Sequence, residues 1–197
     1  MTVYRICARY IALPVAADWR EKLAVRLGSR PRRLGRWAEL GLYGALECLV
    51  DAAEGTLSEH AGVLLSSQYG PALAMRSALL QVREDLPLPV TFLQTQPSQL
   101  LAALSAQLRW CGDARFITHP DPLALLALAL TMAKQHADGL LLGWVNEVGS
   151  ESSLWLRLQP VADPGGAWRK ANDFASLLQS ASHVRLGASE LAVMMHS

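Results

Sequence analysis

Apolar positions along this chain switch between two spacings. Short apolar runs rich in β-branched and aromatic residues predict strands over residues 3–13 (VYRICARYIAL), 62–67 (GVLLSS), 114–118 (ARFIT), 139–145 (GLLLGWV) and 154–161 (LWLRLQPV). Apolar residues three and four apart predict helices over residues 17–27, 36–53, 72–82, 97–108, 122–136 and 167–180. A final strand is expected around residues 191–194. Breakers separate these elements: Pro14, the basic loop 28–35 with Pro31, the Gln68-Tyr69-Gly70-Pro71 turn, the proline-rich connection 85–89, the Cys111-Gly112-Asp113 turn and the Asp163-Pro164-Gly165-Gly166 loop. Strands alternating with helices imply an α/β fold, a mixed β-sheet flanked by helices. The two neighbouring strands near 139–161 are joined by a short turn, which implies an antiparallel pair.

Two helices carry further detail. Within 36–53 (RWAELGLYGALECLVDAA), Leu40, Tyr43, Leu46, Leu49 and Val50 fall on one face, and Gly41 and Gly44 sit inside the pattern. A helical glycine costs about 1 kcal/mol relative to alanine, so close backbone packing is expected at both. Residues 122–133 (PLALLALALTMA) are apolar almost throughout. They fall short of the ~20 residues that a bilayer requires and suit a buried core helix capped by Asp121.

Composition narrows the class. The chain has 197 residues, 51% hydrophobic and 18% charged, with a net charge of +1. Disorder requires the opposite balance, so it is excluded. The charge is unevenly placed: residues 1–40 hold nine Lys/Arg against three Asp/Glu. Arg26, Arg30, Arg32, Arg33 and Arg36 crowd together and could hold nucleic acid, phosphate or an acidic protein. No zinc-finger, RNP or helix-turn-helix pattern accompanies them, which argues against nucleic acid. Cys7, Cys48 and Cys111 are odd in number and widely spaced, the usage expected of reduced cysteines in a cytoplasmic protein. The first ten residues lack the features of a secretory signal. The histidines are scattered, so no metal site or cofactor is expected. Ser66 and Ser67 end a strand, but no G-x-S-x-G surrounds them.

Several segments together resemble the N-terminal half of a β-ketoacyl synthase of the thiolase fold. They are RRLGRWAELGLYGALECL, GVLLSSQYGP, FLQTQPSQLLAALSAQLRWCGDARFIT and ADGLLLGWVNEV, in that order. The nearest likeness is to the short chain-length-factor-like proteins found beside polyketide and aryl-polyene synthesis genes. The resemblance covers residues 3–161. It implies a thiolase-like N-terminal-half domain over 1–161, with 162–197 as a helical extension packed on it. It also implies that the chain is about half as long as a full ketosynthase, without the half that brings two catalytic histidines.

At the strand-to-helix turn where an active ketosynthase has its cysteine, this chain reads Ile117-Thr118-His119-Pro120-Asp121-Pro122. Asp121 takes the nucleophile position. A carboxylate at a helix N-terminus is stabilised by the helix and makes a poor nucleophile. The expectation is a non-catalytic subunit acting by association in fatty-acid or polyketide-type biosynthesis. It would form a homodimer, or a heterodimer with an active β-ketoacyl synthase, through Gln94, Gln96, Arg115, Ile117 and His119. Arg30, Arg32, Arg33 and Arg36 would dock an acidic acyl carrier protein. The alternative is a remnant decarboxylase, acyl transferase or thioesterase that uses His119 and Asp121 on carrier-bound chains. At these two residues the contrast is plain: an acid–base pair, or a helix cap beside a packed histidine.

Overall fold

The computed structural model of the chain describes residues 2–171, 174–187 and 190–195. Among the described residues, eight strands form one mixed sheet. They are β1 (Val3–Ala12), β2 (Gly62–Ser67), β3 (Ala114–Thr118), β4 (Leu140–Asn146), β5 (Ser152–Val161), β6 (Arg169–Lys170), β7 (Ala181–Leu186) and β8 (Leu191–Met195). Their order is β3-β2-β4-β5-β1-β7-β8-β6. β2 runs parallel to β3 and β4, and β5 lies antiparallel between β4 and β1. The helices are α1 (Trp19–Leu27), α2 (Arg36–Asp51), α3 (Ala72–Arg83), α4 (Pro89–Gln94), α5 (Ser98–Leu108), α6 (Pro122–Ala133) and α7 (Phe174–Ser180).

Period-2 alternation in the strands divides the sheet into two apolar faces. One face carries Val63, Leu65, Leu141, Val145 and Trp155 and is covered by α1, α2 and α5. The other carries Leu64, Leu140, Leu142, Leu154, Leu156 and Leu158 and is covered by α6 and α7. β1 follows the same rule with one shift. Tyr4 and Ile6 point to the α6 face, whereas Ala8 and Tyr10 point to the α2 face. A bulge between Ile6 and Ala8 produces this switch, because one extra residue reverses the parity of every residue after it.

α2 approaches the sheet through its glycines. A Cβ on Gly41 would lie 2.2 Å from Leu100 Cδ2, and one on Gly44 would lie 2.1 Å from Ser153 Oγ. The helical cost of each glycine is therefore offset by close approach to α5 and to β5.

The structure departs from the sequence expectations at several elements. Residues 167–180 do not form one helix: Arg169–Lys170 is a short strand and the helix begins at Phe174, while residues 172–173 lie outside the described residues. The stretch after Val161 is not simply helical, since β6, β7 and β8 extend the sheet beyond β1 and β7 was not anticipated. Helix α4 follows the proline-rich connection in a stretch for which no element was predicted, and Gln94 closes it. α6 ends at Ala133 rather than His136.

No helix of the described residues is long and apolar enough to cross a membrane. The exposed large apolar residues gather on α3 and α4 and the segment between them, where none of either helix's residues is buried. On α6, Leu128 is exposed, whereas Leu125, Leu126, Ala129, Leu130 and Ala133 are buried.

Candidate functional site

The parallel strands β2, β3 and β4 end together, and the candidate site is built at these ends. Ser66 and Ser67 close β2, and both are fully buried. Ser66 Oγ–H donates to the Ile117 carbonyl at 2.7 Å, binding β2 to β3. Ser67 Oγ–H donates to Asn146 Oδ1 at 3.0 Å and accepts the Gly70 N–H at 2.9 Å. Asn146 Oδ1 also accepts the Gln68 N–H at 2.9 Å. Gly70 has φ +61°, a conformation in which glycine carries no Cβ penalty, and it turns the chain back toward α3. Both serine hydroxyls are thus spent on the architecture of the turn, as buried hydroxyls generally are.

The β3–α6 turn follows the same logic. The His119 N–H donates to the Ser67 carbonyl at 3.1 Å. Asp121 is extended (φ −109°, ψ 113°), and its carboxylate accepts the Leu123 N–H at 2.8 Å. With Pro122 at the first helical position, this is an N-cap: the side-chain oxygen takes up a donor that the helix leaves unpaired. His119 Nδ1 meets the backbone of Asp121 and not its carboxylate. It lies 3.0 Å from the Asp121 amide nitrogen and 2.9 Å from the carbonyl oxygen. The imidazole can accept from the amide when Nδ1 is bare and donate to the carbonyl when it is protonated. His119 and Asp121 therefore share a turn but form no ion pair.

Next to this turn, Glu147 is buried and its Oε1 accepts the Leu73 N–H of the first turn of α3 at 2.8 Å. Burial pushes its carboxyl above the usual range, opposed by the Leu73 N–H and by Arg36. Arg36 pairs with Glu151, which holds the Glu151 carboxyl below the usual range and raises the guanidinium. Asn146 and Glu147 were not singled out from sequence. Their only sequence signal is a polar pair ending an apolar strand.

The basic loop joins the same region. Gly35 backs onto α4: a Cβ there would lie 3.1 Å from Gln94 Cβ. Trp37 stands edge-on to Phe116 of β3 at 5.8 Å, and its Nε1–H donates to the Val145 carbonyl at 3.1 Å. The loop thus touches α4 through Gly35, and the start of α2 touches β3 through Trp37. The arginines differ within this loop. Arg36 is held by Glu151, and Arg30 lies 3.5 Å from Glu21. Arg32 and Arg33 are exposed and have no partner among the described residues. Of the expected contact residues, Gln94 and Gln96 are half-buried, and Gln96 donates to Thr95 Oγ1 at 3.0 Å. Arg115 is exposed on β3 and paired with Asp113 at 2.7 Å, while Ile117 packs partly against the α6 core. Among the described residues, no three His, Cys, Asp or Glu side chains are placed to share a metal.

Solved structures similar in fold include chains of ketosynthase assemblies. A chain of the complex of the ketosynthase ApeO with its chain length factor ApeC, from Xenorhabdus doucetiae, matches over 100% of both chains at 12% identity and TM-score 0.59. The fold is ketosynthase-like. A chain of the ishigamide ketosynthase/chain length factor matches at 15% identity and TM-score 0.61, with 83% of the present chain covering 63% of that one. A third match, at 10% identity and TM-score 0.60, is to AntDE:AntF, a type II polyketide synthase acyl carrier protein in complex with its ketosynthase. It covers 89% of the present chain and 71% of that one. No family model and no curated protein matches the sequence.

Proposed function

We propose that the chain is a non-catalytic, chain-length-factor-like subunit that associates with a β-ketoacyl synthase in polyketide- or fatty-acid-type biosynthesis. The observation that carries this reading is the exposed apolar surface of α3 and α4. Leu79 and Phe92 are each 63% exposed and Leu86 is 66% exposed. An apolar surface of this kind, with polar Gln81, Gln94 and Arg83 among its neighbours, is the pattern of a protein interface. The edge of β3 adds unpaired backbone groups that a second chain can satisfy. Gln94, Gln96, Arg115, Ile117 and His119 are proposed to contribute to the same contact.

Asp121 supports a structural rather than a chemical role. Its carboxylate already serves the helix, and His119 is turned to the backbone. Asp121→Asn is expected to leave turnover of the assembled complex unchanged and stability nearly so, because asparagine caps as well as aspartate. Asp121→Ala is expected to cost about 1 kcal/mol by urea denaturation. A collapse of complex turnover in the stably folded asparagine variant would favour an enzyme instead.

Carrier-protein docking falls to Arg32 and Arg33, the two arginines of the cluster that have no partner among the described residues. Reversing both, Arg32→Glu with Arg33→Glu, is expected to slow association with an acidic carrier protein at low salt. The difference should fade as salt is raised, because exposed charges act chiefly on the encounter. Equal association rates for variant and wild type at low salt would remove the loop from this role.

A further inference from the structure

α3 and α4 stand off the core as a pair. None of their residues is buried, and a shallow cleft of about 300 Å³ between them is lined by Ala78, Val82, Leu88 and Phe92. Helices that bury so little of their surface open locally at low cost. Their pose therefore depends on how the pair is rooted. Pro71 precedes α3 and brings no side-chain cap. The cap comes from a distant part of the chain: Glu147 Oε1 accepts the Leu73 N–H at 2.8 Å. Among the described residues, this is the one hydrogen bond from α3 to anything outside residues 70–88.

Glu147 is a fixed point. It directly follows β4, which lies between β2 and β5 in the sheet, and it is buried. The neighbouring Asn146 Oδ1 holds Ser67 and Gln68, so the end of β4 binds the chain on both sides of the Gly70 turn. A carboxylate in the first turn of α3 meets an unpaired donor and the positive end of the helix together. An apolar side chain there would avoid the desolvation cost of a carboxylate but would leave the Leu73 N–H without this acceptor. We infer that Glu147 is a positioning residue for partner binding: it latches α3 to the end of β4 and holds the α3–α4 pair in the pose that a ketosynthase meets. The inference rests on the pairing proposed above. Without the latch the apolar side chains are unchanged, but the partner must order the pair as it binds, which lowers affinity.

Amide hydrogen exchange of the purified full chain reads the latch alone, and titration with a β-ketoacyl synthase reads its consequence. Glu147→Met keeps the side-chain volume and removes the acceptor. It is expected to speed exchange across residues 73–94 by on the order of tenfold or more, with β2, β4 and β5 at wild-type rates. It is also expected to weaken the association by on the order of tenfold. Glu147→Ala is expected to act in the same way. Glu147→Gln keeps an oxygen at the same reach and is expected to restore both readouts to within about twofold of wild type. Wild-type exchange across 73–94 in the methionine and alanine variants would overturn the latch. So would faster exchange throughout the chain, or a glutamine variant as loose as the methionine one. Loosened exchange with unchanged ketosynthase affinity would overturn the role in partner binding. A wild-type chain that binds no ketosynthase would end the pairing itself, while exchange still decides whether the latch exists.

Discussion

Trp155→Ala is expected to destabilise the chain by about 3–5 kcal/mol, a large share of the ~5–15 kcal/mol available to a domain. The Trp155 indole is fully buried, and its Nε1–H donates to Ser153 Oγ at 3.1 Å. Ser153 in turn donates to the Leu40 carbonyl of α2 at 3.2 Å. Two glycines make room for the ring. A Cβ on Gly44 of α2 would lie 2.6 Å from its Cδ1, and one on Gly143 of β4 would lie 2.5 Å from its Cη2. Removing the ring opens a cavity that the backbone of α2 cannot refill. The converse change is informative as well. On helix propensity alone, Gly44→Ala would stabilise by about 1 kcal/mol. Here it is expected to destabilise, since the new methyl meets buried atoms of Ser153 and Trp155 with nowhere to move. Chemical denaturation of Gly44→Ala, alone and combined with Trp155→Ala, measures the contact through its non-additivity. A stabilised Gly44→Ala would show that α2 does not lie this close to β5.

This arrangement also shows how far the sequence could be read. The glycines inside the α2 pattern pointed to close backbone packing, but nothing in the pattern named Trp155 as what they accommodate. That requires the register in which Trp155 lies opposite Gly143 and Tyr10. The first five strands were legible because each is a short apolar run bounded by turn residues. Of the C-terminal strands, β8 was expected around residues 191–194, whereas β6 and β7 were not. Residues 181–186 read Ala-Ser-His-Val-Arg-Leu, with too little apolar alternation to stand out, and β7 is stabilised by pairing with β1 and β8 rather than by local preference. Helix α4 was missed because Pro87 and Pro89 mark a breaker in sequence, whereas Pro89 sits at the helix start, where proline is tolerated. The N-cap at Asp121 was readable, being a local arrangement of an aspartate just before Pro122. Asn146 and Glu147 act on β2 and α3, and contacts at that range leave no mark in the spacing of residues.

Changing Leu79→Glu together with Phe92→Glu is expected to weaken association with a ketosynthase partner by on the order of 100-fold or more. Both side chains are mostly exposed in the isolated chain, so the substitution leaves its own melting temperature nearly unchanged. In an interface the same positions would be desolvated, and two carboxylates there would have no counter-charge. Val25→Glu on α1, where the native side chain is 83% exposed, is the control and is expected to have no effect on association. Equal losses at Val25 and at the α3–α4 pair would mean a general effect of added charge. Unchanged association in the α3–α4 variant would move the interface elsewhere.

We propose that this ketosynthase-like chain acts by pairing with a ketosynthase. Native mass measurement of the wild-type chain, co-expressed and co-purified with a β-ketoacyl synthase that has no partner of its own, tests it most directly. The expected species holds one copy of each, with acyl groups attached covalently only to the ketosynthase. A lone monomer that binds neither the ketosynthase nor a second copy of itself, or an acyl group bonded to this chain, would contradict the claim.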